Sequence, residues 1–118
     1  LYVLADGDEI AACVIANDEK VDGYADALWQ IDSDEVIVLH VLAVHPDYRG
    51  KGLARRLVEN VIEQERKAGK KALRLDVIEN NTTAEKLYQK LGFRYIQTKT
   101  LYYDVVGEMT FKLYELVL

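Results

Sequence analysis

The strongest constraint on the fold is a β-branched run that predicts a buried strand, Val36-Ile-Val-Leu-His-Val-Leu-Ala-Val44. A strand that is apolar on both faces is typical of the centre of a covered sheet. The segment 53–68 follows with apolar residues at helical spacing, and residues 72–78 predict another strand. A strand, a helix of this length and a second strand form a βαβ unit, so the two strands are predicted to be parallel.

Shorter patterns complete the domain on either side of this unit. The order of elements, ββ, β, α, β, α, ββ, predicts a single mixed α/β domain over residues 1–118 rather than a doubly wound fold. The flanking elements are strands at 2–5 and 9–16 joined by an Asp-Gly turn, an irregular segment at 17–34 with room for a short extra strand, a helix capped by Asn81 and ended by Gly92, and strands at 95–103 and 109–118.

Charge and cysteine content limit the classes of function. The net charge of −5 argues against nucleic acid binding, which requires a broad basic face. No apolar run approaches the roughly 20 residues of a membrane-spanning helix, so no membrane partner is expected. Cys13 is the single cysteine, which excludes an internal disulfide and a thiolate metal cluster. Its apolar neighbours predict an inert buried thiol, and this cysteine usage favours a cytoplasmic location.

A basic cluster interrupts the acidic background between the buried strand and the first helix, in the segment Arg49-Gly50-Lys51-Gly52-Leu53-Ala54. The first N–H groups of a helix lack partners, the helix dipole is positive there, and glycine lets a phosphate approach the backbone. The residues alone leave two interpretations open, a phosphate-binding loop and a Gly-rich turn with a solvated basic start. A Walker A loop is excluded because Gly52 is followed by Leu53 and not by the Lys-Ser/Thr pair. A Rossmann loop is excluded because the segment has two glycines and the pattern needs three.

The loop resembles a signature of the GNAT (GCN5-related N-acetyltransferase) family, Arg/Gln-x-x-Gly-x-Gly/Ala. A second segment, Asn81-x-x-Ala84-x-x-Leu87-Tyr88-x-x-Leu91-Gly92-Phe93, is similar to the family's other signature, and Leu42–Pro46 is similar to its central strand exit. Two motifs in this order are far more specific than one, and together they cover residues 36–93. The resemblance implies an acyl-CoA N-acyltransferase fold, an α+β mixed sheet with splayed central strands and helices on both faces. It also implies acetyl transfer from acetyl-CoA to an amine.

The resemblance implies a binding site for acetyl-CoA along the loop and the central strand. The pantetheine arm would lie between the two splayed strands, and the diphosphate would lie on the loop N–H groups, with added charge from Lys51 and Arg55. Asn81 would contact the pantetheine or the acetyl end, act as a plain N-cap, or do both. The implied donor-site residues are Leu42, Ala43, Val44, Arg49, Gly50, Lys51, Gly52, Leu53, Ala54, Arg55, Asn81 and Tyr88.

Tyr88 is the implied catalytic acid, because a phenol can donate a proton to the departing thiolate. The alternative is an aromatic on the core stripe of the helix. Where many relatives place a basic carboxylate on the central strand, this chain is apolar. Some family members that acetylate arylalkylamines place a histidine on this strand, so the resemblance makes His40 the candidate base, and imidazole titrates near neutral pH. The alternative is a core histidine whose ring nitrogens are satisfied by hydrogen bonds. By strand alternation His40 faces the same way as Val38 and Leu42; Glu35 is the reserve base.

Two further polar residues are predicted to be structural rather than catalytic, namely Asp76 in the second parallel strand and His45 before Pro46. No His, Asp or Glu pair shows metal-ligand spacing, so no metal is expected. Tyr24 and Trp29 are predicted either to line the acceptor pocket or to anchor the segment that carries them.

The chain departs from the family in beginning at a strand, where relatives place a strand and two helices first. This predicts either a piece of a longer protein or a partner that completes the acceptor site, such as a complementary N-terminal segment. Edge strands near the C-terminus could pair with those of a second copy, which would form a homodimer. The leading function is an acetyltransferase for a primary amine, and the alternative is a CoA- or acyl-CoA-binding module without turnover.

Overall fold

The computed structural model describes residues 1–18, 27–31, 33–103, 105 and 107–118. Within these ranges the elements follow the predicted order, and no strand lies between β2 and β3. None of the described helices combines the length and apolarity needed to cross a bilayer. The elements are β1 Tyr2–Asp6, β2 Glu9–Asn17, β3 Val36–Val44, a 3₁₀ turn Pro46–Tyr48, α1 Leu53–Lys67, β4 Ala72–Ile78, α2 Thr82–Lys90, β5 Arg94–Tyr103 and β6 Gly107–Val117.

The described strands form one mixed sheet in the order β1-β2-β3-β4-β6-β5. The pair β3–β4 is parallel, as predicted for the βαβ unit, and the other neighbouring pairs are antiparallel. Since β4 and β5 are both antiparallel to β6, they are parallel to each other, and α2 forms a second crossover. Both crossovers advance in the same direction along the sheet. Right-handed crossovers of this kind place their helices on the same face.

Both helices accordingly pack in one hydrophobic core on one face of the sheet. Val58 and Val61 of α1 are fully buried, and Tyr88 of α2 joins the same cluster, together with Leu73 and Leu75 of β4. The predicted α+β mixed sheet is confirmed. The two described helices lie on one face of this sheet, because both crossovers advance in the same direction.

Residues 27–31 cover part of the opposite face, where a buried ion pair holds them. Arg74 and Glu115 are 5% and 0% exposed, and Nε of the first lies 3.0 Å from Oε2 of the second. The Arg74 guanidinium lies 4.5 Å from the centre of the Trp29 ring, and the Gln30 N–H donates to Glu115 Oε1 at 2.7 Å. A buried pair is stable only when such bonds satisfy its remaining groups. The pair therefore attaches this segment to β4 and β6.

Candidate functional site

The central parallel strands separate soon after they begin. The β3–β4 ladder runs from the pair Val36–Ala72 to the pair Val38–Arg74 and then stops, although both strands continue. Beyond Val38, the N–H and C=O groups of β3 that point toward β4 are not part of the β3–β4 ladder. The result is a gap in the middle of the sheet, as the resemblance implied.

A β-bulge lies on β3 at the mouth of this gap. Val41 has a φ of 40°, which is strained for a β-branched residue, and the β2–β3 register shifts between Cys13 and Ile15. The bulge changes which side each residue faces. Leu42 and Val44 pack against the helix-side core, whereas Val38 belongs to the cluster on the opposite face. The predicted common orientation of His40, Val38 and Leu42 is therefore wrong for Leu42, because simple alternation ends at the bulge.

The loop before α1 is open at its backbone. Gly50 and Gly52 have φ values of 80° and 72°. Apart from chain neighbours, no atom of the described residues lies within 4 Å of the position a Cβ would take at either residue. Gly52 is the N-cap, and none of the side chains that the structure describes caps the helix. The Arg56 N–H makes the first intrahelical bond, to the Gly52 carbonyl at 3.1 Å. The N–H groups of Gly52 to Arg55 therefore have no partner within the helix, which gives the loop a concentration of available donors.

The charges around this loop are unevenly available. Lys51 lies above the Tyr48 ring, 5.5 Å from its centre. Arg55 is paired with Glu59 through Nε and Oε1 at 3.2 Å, which offsets part of its charge. The Arg49 N–H already donates to the Pro46 carbonyl at 3.4 Å. The N–H groups of Gly52, Leu53 and Ala54 have no partner within the helix.

Tyr88 lies on the face of α2 that packs on the sheet. Its side chain is 8% exposed, and its ring packs edge-on against Phe93 with 5.5 Å between ring centres. The described residues contain no hydrogen-bond partner for its hydroxyl, and no buried side-chain oxygen among them is left unpaired, so the hydroxyl borders solvent. Burial, with the nearby charge of Asp76, raises the pKa of Tyr88 to about 12. The phenol is therefore protonated, and able to donate, throughout the neutral range.

Asn81 caps α2, as its sequence position predicted. Its Oδ1 accepts a hydrogen bond from the Ala84 N–H at 3.2 Å. The bond orients the side chain at the start of the helix that carries Tyr88. Its amide nitrogen is not needed for this cap and remains available to a ligand.

His40 and Asp76 occupy matching positions on either side of the gap. Each lies two residues beyond the last paired residues, Val38 and Arg74, on the face opposite the helices. Nε2 of His40 lies 2.9 Å from Oδ1 of Asn17. With the amide oxygen as acceptor, Nε2 carries the proton and Nδ1 is the basic nitrogen. Asp76 was predicted to be structural, and its charge contributes, after burial, to the raised pKa of Tyr88.

Glu35 is separated from the gap. It precedes the paired end of β3 and is exposed, and its carbonyl accepts the Lys71 N–H at 2.7 Å, which closes that end of the strand pair. At the rise of a β-strand it lies about 10 Å before Val38, the last paired residue. The structure thus gives no support to Glu35 as the reserve base.

The two aromatic residues considered for the acceptor pocket have different outcomes. Trp29 packs on Arg74 and belongs to the cluster on the helix-free face, which supports the anchoring interpretation. Tyr24 lies outside the described residues.

Among the described residues, one group brings metal-ligating atoms together, namely Glu9, His45 and Asp47, whose atoms lie within 4.8 Å of one another. Both ring nitrogens of His45 already have partners. Nδ1 accepts the Asp47 N–H at 3.1 Å and Nε2 lies 3.4 Å from Glu9 Oε1. These contacts fasten the 3₁₀ turn to β2 and fit the predicted structural role of His45.

Comparisons with known proteins agree with this architecture. The sequence profile of the Acetyltransferase (GNAT) family matches residues 1–93. The chain is 38% identical over 77 residues to the ribosomal protein bS18-alanine N-acetyltransferase of Escherichia coli, covering 65% of this chain and 51% of that protein. It is 36% identical over 84 residues to the L-amino acid N-acyltransferase MnaT of Escherichia coli, covering 68% and 49%. The chain thus spans about half the length of these relatives.

The fold is also shared with a solved structure. The structure of yncA from Salmonella typhimurium with its cofactor acetyl-CoA superposes with a TM-score of 0.73 at 22% identity, over 98% of this chain and 62% of that one. This similarity concerns the fold, whereas the profile match covers most of the sequence and both of its motifs. The chain therefore belongs to the GNAT family of acetyltransferases.

Proposed function

We propose that this domain transfers an acetyl group from acetyl-CoA to a primary amine of a small molecule or peptide by direct attack. The observation that carries the proposal is the combination of an opened β3–β4 pair with an uncapped helix N-terminus beside it. A pantetheine chain needs main-chain partners in a narrow gap, and a diphosphate needs free N–H donors. The chain offers both on consecutive elements.

In this proposal the donor lies along β3 and the loop before α1. Leu42, Ala43 and Val44 offer main-chain groups to the pantetheine arm, so their side chains matter little. The amides from Arg49 to Ala54 receive the diphosphate, and Lys51 and Arg55 add positive charge. Asn81 contacts the pantetheine or acetyl end with its amide nitrogen while Oδ1 caps α2.

The reaction needs a base for the amine and an acid for the thiolate. The neutral amine attacks the thioester carbonyl, and the oxyanion of the tetrahedral intermediate is stabilised by β3 main-chain N–H groups. The C–S bond then breaks, and the Tyr88 hydroxyl donates its proton to the coenzyme A sulfur. His40 accepts the proton of the amine through Nδ1. Asp76 is the second candidate base, because it holds the position on β4 that matches His40 on β3 and contributes to the raised pKa of Tyr88.

The acceptor class follows from the relatives and from local charge. One relative is named for the alanine of a ribosomal protein and another for L-amino acids, both of which carry primary amines. The carboxylate of Asp76 at the mouth of the gap suits a cationic amine before it loses its proton. We also propose that the domain acts in the cytoplasm, without a metal and as one domain over residues 1–118.

The test is thiol release from acetyl-CoA in the presence of a panel of amines, with calorimetric titration of coenzyme A. Turnover that depends on an amine supports the acetyltransferase, and alanine-terminated peptides and free amino acids are the first acceptors to compare. Binding of coenzyme A without turnover by any acceptor would instead support the CoA-binding module. Absence of binding would refute both functions.

A further inference from the structure

Tyr48 connects the loop of residues 49–54, the phosphate loop of the proposed function, to a distant part of the chain. It ends the 3₁₀ turn one residue before Arg49, and its hydroxyl donates to Asp6 Oδ2 at 2.8 Å, with Glu9 Oε2 at 3.3 Å. These two carboxylates flank the turn between β1 and β2. The bond to Asp6, above all, raises the pKa of Tyr48 to about 12, so the hydroxyl is a donor at every ordinary assay pH.

The Tyr48 ring makes two further contacts at the loop. His45 packs edge-on against it with 5.7 Å between ring centres, and the Lys51 ammonium lies 5.5 Å from its centre. Both are within the range of aromatic and cation–π attraction. A single side chain thus touches the start of the 3₁₀ turn, the β1–β2 turn and the middle of the phosphate loop.

The loop itself contains little that fixes its shape. Gly50 and Gly52 lack side chains, and glycine adopts many backbone conformations. Apart from chain neighbours, no described residue packs against the position of a Cβ at either glycine. Downstream, α1 holds the loop from Leu53 onward. Upstream, Tyr48 contacts residues outside the loop through both its hydroxyl and its ring.

We propose that Tyr48 is a positioning residue for the diphosphate of the donor, because it ties the phosphate loop to the β1–β2 turn and holds the loop amides open before binding. The inference rests on the proposed function, since Tyr48 would hold the loop that binds the diphosphate of the same donor. A ligand that binds one loop arrangement has an apparent Kd that rises in inverse proportion to the population of that arrangement. Loss of the Tyr48 hydroxyl lowers that population.

The test compares Tyr48→Phe with the parent chain, using two donors. Acetyl-CoA carries the diphosphate, whereas S-acetyl-pantetheine has the same reactive end and lacks it. We expect Tyr48→Phe to raise the Kd for coenzyme A and the KM for acetyl-CoA by about tenfold, the equivalent of one hydrogen bond, with kcat unchanged. Turnover of S-acetyl-pantetheine should not change. Tyr102→Phe, at an exposed position on β5, is the matched control and should leave every value unchanged.

A second variant tests the same link from its other end. Asp6→Ala removes the nearer of the two acceptors of the Tyr48 hydroxyl, and Glu9 remains at 3.3 Å. The double variant Asp6→Ala/Tyr48→Phe should lose little more affinity than Tyr48→Phe alone, because both changes act on one connection. An equal loss with both donors, or an unchanged Kd for coenzyme A in Tyr48→Phe, would overturn the inference and leave the proposed function intact. A parent chain that does not bind coenzyme A would overturn the proposed function together with the inference.

Discussion

Removing the hydroxyl of Tyr88 separates its proposed chemistry from its packing. Tyr88→Phe keeps the ring, which is 8% exposed and packs edge-on against Phe93, so stability should change by less than about 1 kcal/mol. A positioned general acid contributes roughly 100-fold to 10,000-fold, and we expect kcat to fall by at least about 100-fold. The Kd for acetyl-CoA should stay within about twofold of the parent value, because the hydroxyl is proposed to act on the departing sulfur. Single-turnover thiol release and calorimetry measure the two quantities.

The pH dependence provides an independent check on Tyr88. A phenol donates only while protonated, and the pKa of Tyr88 is raised to about 12 by burial and by the charge of Asp76. The acid should therefore remain intact as pH rises through 10, and no alkaline fall in kcat should arise from it below about pH 11. A parent profile that falls near pH 10 and loses this limb in Tyr88→Phe would contradict the reasoning. So would unchanged turnover in the variant.

Three further outcomes follow from the geometry. Gly52→Ala and Gly69→Ala both place a side chain at positive φ in open space, so each should lose about 1–2 kcal/mol in urea unfolding, but only Gly52→Ala should weaken coenzyme A binding. Glu115→Gln leaves Arg74 buried beside a neutral partner and should lower the free energy of unfolding by about 3 kcal/mol; a loss under 1 kcal/mol would mean that the pair contributes little. His40→Gln should lower kcat with the Kd for coenzyme A unchanged, and an unchanged kcat in His40→Gln beside a large loss in Asp76→Asn would make the aspartate the base.

Short-range patterns predicted the parts of the site that are continuous in sequence. The loop Arg49–Ala54 and the cap at Asn81 follow from helix-start chemistry, and the structure shows an uncapped N-terminus at one and a side-chain cap at the other. The bulge at Val41 carries no such signal, because a valine is an unfavourable residue for positive φ and no glycine marks the place. The sequence pattern therefore could not predict that the Leu42 side chain lies on the helix side of the sheet.

Long-range register explains the remaining differences. His40 and Asp76 hold matching positions on β3 and β4 because the ladder pairs Val36 with Ala72, and no local spacing reveals this register. The same holds for Tyr48 and Asp6, which are 42 positions apart and meet through the docking of the hairpin against the 3₁₀ turn. The placement of both helices on one face required the position of β6 between β4 and β5.

The gap between β3 and β4 can be reached from either face of the sheet. The open loop amides and α2 lie on the helix side, whereas His40 and Asp76 lie on the other. If donor and acceptor approach from these two sides, neither has to leave before the other enters. Steady-state kinetics should then give intersecting rather than parallel double-reciprocal lines, and free coenzyme A should compete with acetyl-CoA but not with the amine.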